Sequence, residues 1–554
     1  MQGTPTFDYI VIGAGSAGCV AASRLVSEFG AEVLLLEGGF PDHHPLIHMP
    51  AGFVKMVFNP GRFLVNHVSE PQPALSGRRV GVLQANVIGG GSSVNAMTYT
   101  RGARADYDKW DDALGGVGWG WDDLLPHFIR QEGNQRLGAP FHGVDGPLKV
   151  SDAHHPPTRI SRAFLLTLQE MGIPFTPDVN AGDERGATFI QSTTYFGRRC
   201  SAAEAFIAPL KGNPRLKIKF RSPALRILFE GDRAVGVEFS DQGKGVARAF
   251  ARQEVVLAAG AFISPKLLML SGIGPAADLS RLGIDVKVDL PGVGQNMQDH
   301  NDASIAVQTT ANFGFSGEDR GRRMLANGLQ YLLFRSGPVA STGSEVTAFL
   351  NPLSPGSAPT IQLYCVGTLY PEPGNKRRQP PGATLIANLV APKSRGAMRL
   401  RSADPADAPI IDPGWLTRVE DVQELVGGVK FLRQVVNTRP FSDKVARVLL
   451  PDTLTSDEEI ANYVRRVTGT NWHPVGGCRM GPASDPMSVV DPELRVRGVT
   501  GLRVFDGSIM PNIISANTNA PIMAIADRAV SLMMGTASLR EKLNVNDNEE
   551  EAHD

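Results

Sequence analysis

Residues 469–481, GTNWHPVGGCRMG, set the imidazole of His473 between Trp472 and Pro474 and follow it with Gly476-Gly477. An imidazole titrates near neutral pH, so one held in a stiff frame is suited to accept a proton from a reacting group. The segment by itself fits a blander role as well: a buried histidine satisfied by a backbone carbonyl at the start of a turn. Cys478, five residues further on, has no identifiable base near it, which favours a small buried apolar residue over a nucleophile.

A second set of residues is suited to holding phosphates. The apolar run FDYIVI leads into Gly13-Ala14-Gly15-Ser16-Ala17-Gly18, a helical pattern follows, and a second apolar run, AEVLLLE, ends at Glu37. This order reads as strand, glycine turn, helix and strand. Gly13 permits the tight turn, Gly15 lets a pyrophosphate approach the backbone, and Gly18 lets helix and strand pack closely. The helix N-terminus offers unpaired N–H groups to an anion. Glu37 stands 19 residues after Gly18, where an acid can bind ribose hydroxyls. An acid there disfavours a 2′-phosphate and leaves NAD or FAD. A glycine-rich turn in an unrelated α/β unit is the competing reading.

Residues 85–110, ANVIGGGSSVNAMTYTRGARADYDKW, crowd three glycines and two serines together, as expected of a second loop whose backbone N–H groups approach a ligand. GAFISPKLLMLSGIG (260–274) again sets Gly and Ser at both ends of an apolar run. At these residues the chain resembles the glucose–methanol–choline (GMC) family of flavin oxidoreductases, and the bacterial choline-dehydrogenase-like and hydroxymethylfurfural-oxidase-like enzymes within it. Ala85–Asp108 fits the family's first signature and Gly260–Gly274 its second; LPGVGQNMQDH (290–300) and the segment 501–529 add to the likeness.

The resemblance implies FAD as cofactor, an alcohol as substrate, and O2 or a quinone-like molecule as electron acceptor. It implies that His473 is the base and that Asn517, in NTNAP after the Asp506-Gly507-Ser508 turn, is its partner. In that scheme the alcohol loses a proton to His473 and a hydride to flavin N5, while Asn517 donates a hydrogen bond to the oxygen. Asn519 is the rival in the same loop, and a turn residue bonding local backbone is the reading preferred for it. Gly89, Gly90, Ser92 and Asn95 are expected near the isoalloxazine and phosphates, and Asp506 and Gly507 near the ribityl and pyrophosphate groups. Some relatives attach FAD through a histidine in the Ser-Ser-x-Asn segment. Val94 stands at that place here and cannot make the bond, so FAD is expected to be bound non-covalently. Trp472 is expected either to wall the site or to pack in the core. Glu345, a lone acid in an apolar context, is a candidate for the substrate pocket, with a structural carboxylate as its other reading.

The same scaffold carries a lyase alternative of the hydroxynitrile-lyase type. A light-driven decarboxylase reading is disfavoured because Ala391 precedes Pro392-Lys393-Ser394, where that group has cysteine. A flavoprotein kept for binding alone is disfavoured by the intact His473/Asn517 pair.

These residues need elements to bring them together. A chain of 554 residues is too long for one ordinary core. The expected fold is an α/β FAD-binding, Rossmann-like domain from a doubly wound sheet, joined to an α+β substrate domain with an antiparallel sheet. The first is expected from 5–40, 200–300 and 500–537, a flavin cover region from 41–140, and the substrate domain from 141–199 and 301–470. Residues 471–499 carry the histidine, and 538–554 form an acidic tail. A net charge of −1 argues against a nucleic-acid face, and four scattered cysteines without a CxxC pair argue against a metal site or a disulfide framework. No apolar run reaches the roughly 18 residues needed to span a bilayer. A strand pattern from Phe7 leaves no room for an ordinary signal peptide. The expected location is cytoplasmic, with peripheral membrane contact left open.

Overall fold

A computed structural model of the chain describes residues 5–370, 379–451, 453 and 456–536; the acidic tail and position 537 lie outside them. Two seven-stranded sheets organise the molecule. In the first, Leu216–Lys219, Val33–Leu36, Thr6–Ile12 and Val246–Leu257 lie side by side and parallel. Leu502–Val504 adds a parallel strand to the C-terminal end of Val246–Leu257. The helices Ser16–Ser27 and Asn519–Met533 pack on each other beside this sheet.

At its other edge the sheet is mixed. Ala224–Glu230, Arg233–Ser240 and Val246–Leu257 form an antiparallel meander. Glu230 pairs with Arg233 across Gly231-Asp232, and Gly231 adopts φ +58°. A two-residue turn can only reverse the chain; a parallel neighbour needs a crossover of a dozen residues or more.

The second sheet is antiparallel throughout. Its order is Val445–Leu450, Asn301–Thr309, Gly382–Leu389, Ile361–Val366, Ser344–Leu350 and Gly186–Phe189, with Gly469–Thr470 also paired to the start of Asn301–Thr309. Side chains along a strand alternate between faces. Ile361, Leu363 and Cys365 therefore join a core under the helices Arg159–Glu170 and Val419–Asn437, while Tyr364 and Val366 face the other way, into a cavity between the sheets. That alternation matters below, because Gln362 and Tyr364 share the cavity side.

Candidate active site

The cavity has a volume of about 2010 Å³, above the ~300–1,000 Å³ of an ordinary ligand pocket. It runs from the glycine turn at Gly13–Ala17 to His473 and Asn517. At the first end the two glycine loops meet. The Gly89 N–H donates to the Ala14 carbonyl at 2.7 Å, and a Cβ on Gly90 would lie 2.7 Å from the Gly15 Cα. Gly18 packs against the Gly13 backbone and leaves no room for a side chain. The cradle thus opens on the N-terminus of Ser16–Ser27, where the first N–H groups have no partner in the helix. At Gly91 an added Cβ would meet nothing within 4 Å. A bare cradle of this kind, continuous with a long cavity, fits a dinucleotide.

Other expected cofactor residues divide between lining and bracing. Gly13, Gly15, Ser16, Ala17, Glu37, Gly90, Val94, Asn95, Asp506 and Gly507 line the cavity; Gly18, Gly89 and Ser92 lie behind it. The Ser92 hydroxyl donates to the Gly89 carbonyl at 2.5 Å and accepts from the Ala202 N–H, so it locks the turn. Both Glu37 oxygens accept backbone N–H groups, from Ala14 at 3.0 Å and Gly39 at 2.7 Å, and burial raises its pKa. The Asp506 carboxylate accepts from Gly260 N–H, the Ser264 hydroxyl and Ser508 N–H. It ties the second signature to the C-terminal segment. Asn519 departs from the local-turn reading: its side-chain oxygen accepts from the Ser16 hydroxyl at 2.7 Å, joining two helices far apart in sequence. Cys478 is buried and its pKa pushed well up by desolvation, as befits a packing residue.

At the other end His473 is held from its backbone outwards. The chain pairs antiparallel with the segment before Asn301–Thr309: Gln298 and Val475 exchange hydrogen bonds, and Asn471 N–H donates to the His300 carbonyl. The Asp299 carboxylate accepts from the His473 N–H at 2.9 Å and from the Thr470 hydroxyl, which itself accepts the Trp472 N–H at 2.8 Å. This ring of bonds holds Trp472 at φ +57°, a region bulky residues rarely enter. The indole is 41% exposed and lines the cavity, so of its two readings the wall describes its position.

The side chains then fix a tautomer. Asn517 Oδ1 accepts from Thr100 Oγ1 at 3.0 Å, Tyr364 OH at 3.2 Å and Gln362 Nε2 at 3.4 Å. With its oxygen so occupied, the amide must turn Nδ2 toward His473 Nε2, 3.3 Å away. An N–H pointing at Nε2 requires a lone pair there, which puts the ring proton on Nδ1. His473 Nδ1 faces His300 Nδ1 at 3.0 Å with the rings perpendicular. Burial, with His473 beside it, holds His300 well below the ordinary pKa, so it remains a neutral acceptor. Burial also lowers the pKa of His473 to about 4. The arrangement can take a proton at Nε2 and offer an N–H beside it.

Glu345 does not line this cavity. Its carboxylate is buried and accepts from the Thr158 N–H at 2.9 Å and the Thr158 hydroxyl at 2.5 Å, with His155 3.4 Å away. Glu345→Ala removes the acceptor of the Thr158 N–H, a loss of roughly 1–3 kcal/mol. Thermal unfolding should register that loss, with flavin reduction by alcohol unaltered.

His300, Asp299, Thr100, Gln362 and Tyr364 were not among the residues singled out from sequence. The Gln298-Asp299-His300 run and the Gln362-x-Tyr364 alternation in a strand were the available signals.

The GMC oxidoreductase profile matches the chain in two parts, N-terminal over residues 7–302 and C-terminal over residues 392–526. The chain is 38% identical to alcohol dehydrogenase (acceptor) of Pseudomonas putida over 535 residues, 95% of this chain and 96% of that one. It is 37% identical to the mitochondrial choline dehydrogenase of Homo sapiens, over 97% of this chain and 91% of the other. Pyridoxine 4-oxidase from Mesorbium loti superposes with a TM-score of 0.85 at 30% identity, covering 96% and 99% of the two chains.

Proposed function

The chain belongs to the GMC oxidoreductase family, an FAD-dependent oxidoreductase acting on CH–OH groups, and from that premise we propose that it oxidises an uncharged primary alcohol to the aldehyde with His473 as the base. The observation that carries this reading is the occupied Asn517 oxygen, which leaves an N–H donor and an unprotonated imidazole nitrogen side by side. A hydroxyl oxygen set against both can pass its proton to His473 Nε2 while Asn517 Nδ2 stabilises the charge that develops on it. Bound FAD supplies the hydride acceptor. Gly13–Ala17, Gly90 and Asn95 would hold its phosphates and ring, and Trp472 and Tyr364 would flank the substrate.

The preference for an uncharged alcohol rests on the cavity's acids. Glu37 and Asp506 are tied to backbone donors, and Glu318, with Arg323 at 3.0 Å, and Asp319, with Arg320 at 3.6 Å, are paired. No lining carboxylate among the described residues is left to face a quaternary amine. None of the named relatives is a lyase, so the lyase alternative has no support.

The test is anaerobic mixing with octanol, benzyl alcohol, hydroxymethylfurfural and choline, followed by air. Bleaching of the flavin by an apolar alcohol in preference to choline is the expected result; bleaching by choline alone would overturn the substrate class. Recovery in air with peroxide separates an oxidase from a dehydrogenase.

Two further outcomes follow. A base works only while unprotonated, so the rate of flavin reduction should hold from neutrality downward and fall as the pH approaches about 4. A stopped-flow pH profile with its acid limb near the ordinary 6.5 would contradict this. With Val94 at the attachment position, acid precipitation should release the flavin into the supernatant, read by its absorbance.

A further inference from the structure

The helix Gly321–Phe334, GRRMLANGLQYLLF, is turned the wrong way for a water-soluble surface. Leu325, Leu329, Leu332 and Leu333 fall at i, i+4, i+7 and i+8 and form one stripe. That stripe would ordinarily face a core, yet Leu325 is 69% and Leu333 64% exposed. The residue this helix buries is Tyr331, on the opposite side. Met324, Gly328, Tyr331 and the edge of Leu332 line the cavity mouth, so the helix roofs the entrance with Leu325, Leu329 and Leu333 outward.

The patch continues past the helix. Gly197 packs on the Arg335 carbonyl, one residue past the exposed Phe334, and follows the exposed ring pair Tyr195–Phe196 in the chain. The segment that carries the stripe is mainly positive. Residues 318–335 hold four arginines and two acids. The acids pair with Arg320 and Arg323, while Arg322 shares the leucine face without a carboxylate partner among the described residues.

We propose that this face docks the protein onto an anionic lipid bilayer, with the leucine stripe and the aromatic tip in the acyl boundary and Arg322 among the headgroups. Leucine and aromatic side chains beside arginine form the pattern that an interfacial helix presents to such a surface. Among the described residues no helix is long and apolar enough to cross a membrane, so the contact is peripheral. A second copy of the chain fits less well. Antiparallel self-packing of the helix would set Arg322 against the segment from Leu333 to Arg335, which carries no acid to receive it. Docking would place the cavity mouth at the bilayer, where amphiphilic alcohols partition. The surface stands on the helix and does not require the alcohol reading.

The experiment uses full-length, flavin-loaded protein sedimented with vesicles of phosphatidylcholine, with and without phosphatidylglycerol. Wild type should sediment with the phosphatidylglycerol vesicles and release as salt is raised. Leu325→Glu/Leu329→Glu should weaken binding at least about tenfold, the order expected when two leucine contacts are lost. Arg322→Glu should weaken binding to the anionic vesicles and spare the weaker binding to phosphatidylcholine. None of the three positions lines the cavity, so flavin reduction by a water-soluble alcohol should be unchanged. Absence of sedimentation with anionic vesicles, or equal sedimentation of wild type and the double variant, would overturn the proposal. So would a dimer in light scattering that the double variant dissociates, which assigns the face to a second copy.

Discussion

His473→Ala is expected to slow flavin reduction by an alcohol by ~10²–10⁴-fold, the usual worth of a positioned general base, while the flavin stays bound. The magnitude follows from the lack of a substitute. Of the other groups near the hydroxyl position, Asn517 is a donor there, and His300 stands behind the imidazole with its pKa held low. Asp299 is pushed up to about 7 by burial, but its oxygens are engaged with the His473 N–H and the Thr470 hydroxyl. Flavin retention follows from distance along the cavity, since the glycine cradle is built from Gly13–Gly18 and Gly89–Gly91. Stopped-flow reduction together with the visible spectrum separates the two effects. Near-wild-type reduction by the variant would remove His473 from the mechanism.

The low pKa of His473 also has a consequence for stability. A histidine whose folded pKa lies below its unfolded value binds protons more readily when unfolded, so acid favours unfolding. That cost begins as the pH falls through about 6.5 and is complete below about 4. The same burial that keeps His473 unprotonated thus makes the site a weak point in acid.

How much of this could be read from the chain depends on the range of each interaction. The turn at Gly13–Gly18 is local: its glycines answer to a backbone conformation and to a helix and strand a few residues away, so the spacing carries the information. The antiparallel edge at Ala224–Leu257 is equally local, since Gly231-Asp232 announces a hairpin. The placement of Glu345 was less accessible. A carboxylate in an apolar strand is the same letter whether it faces a substrate or Thr158, and Thr158 is 187 residues away. Asn519 failed as a local turn residue for the same reason, because its partner is Ser16. Least legible was the support of the His473–Asn517 pair. Thr100, Gln362 and Tyr364 reach Asn517 from a loop and from one face of a strand, and no periodicity marks the point where they converge.

That convergence gives the second large effect. Asn517→Ala is expected to lower the reduction rate by ~10²–10³-fold, the cost of removing one donor from a charge-stabilising site. The loss has two parts. The alkoxide-like oxygen loses its N–H donor, and Thr100, Gln362 and Tyr364 lose the acceptor on which they meet. The second part can be separated by the variant Tyr364→Phe, which keeps Asn517 but removes one of the three donors that orient it. If the amide were free to rotate, Oδ1 would sometimes face His473 Nε2, and the site would present two acceptors to a hydroxyl that has one proton. Tyr364→Phe leaves Thr100 and Gln362 in place, so its loss should be smaller than that of Asn517→Ala and should appear in the rate of reduction rather than in the amount of flavin bound. Asn517→His restores a donor at the same place and should recover a large part of the rate. A histidine variant as slow as the alanine one would mean that Asn517 acts by holding the shape of the loop, and the donor role would have to be given up.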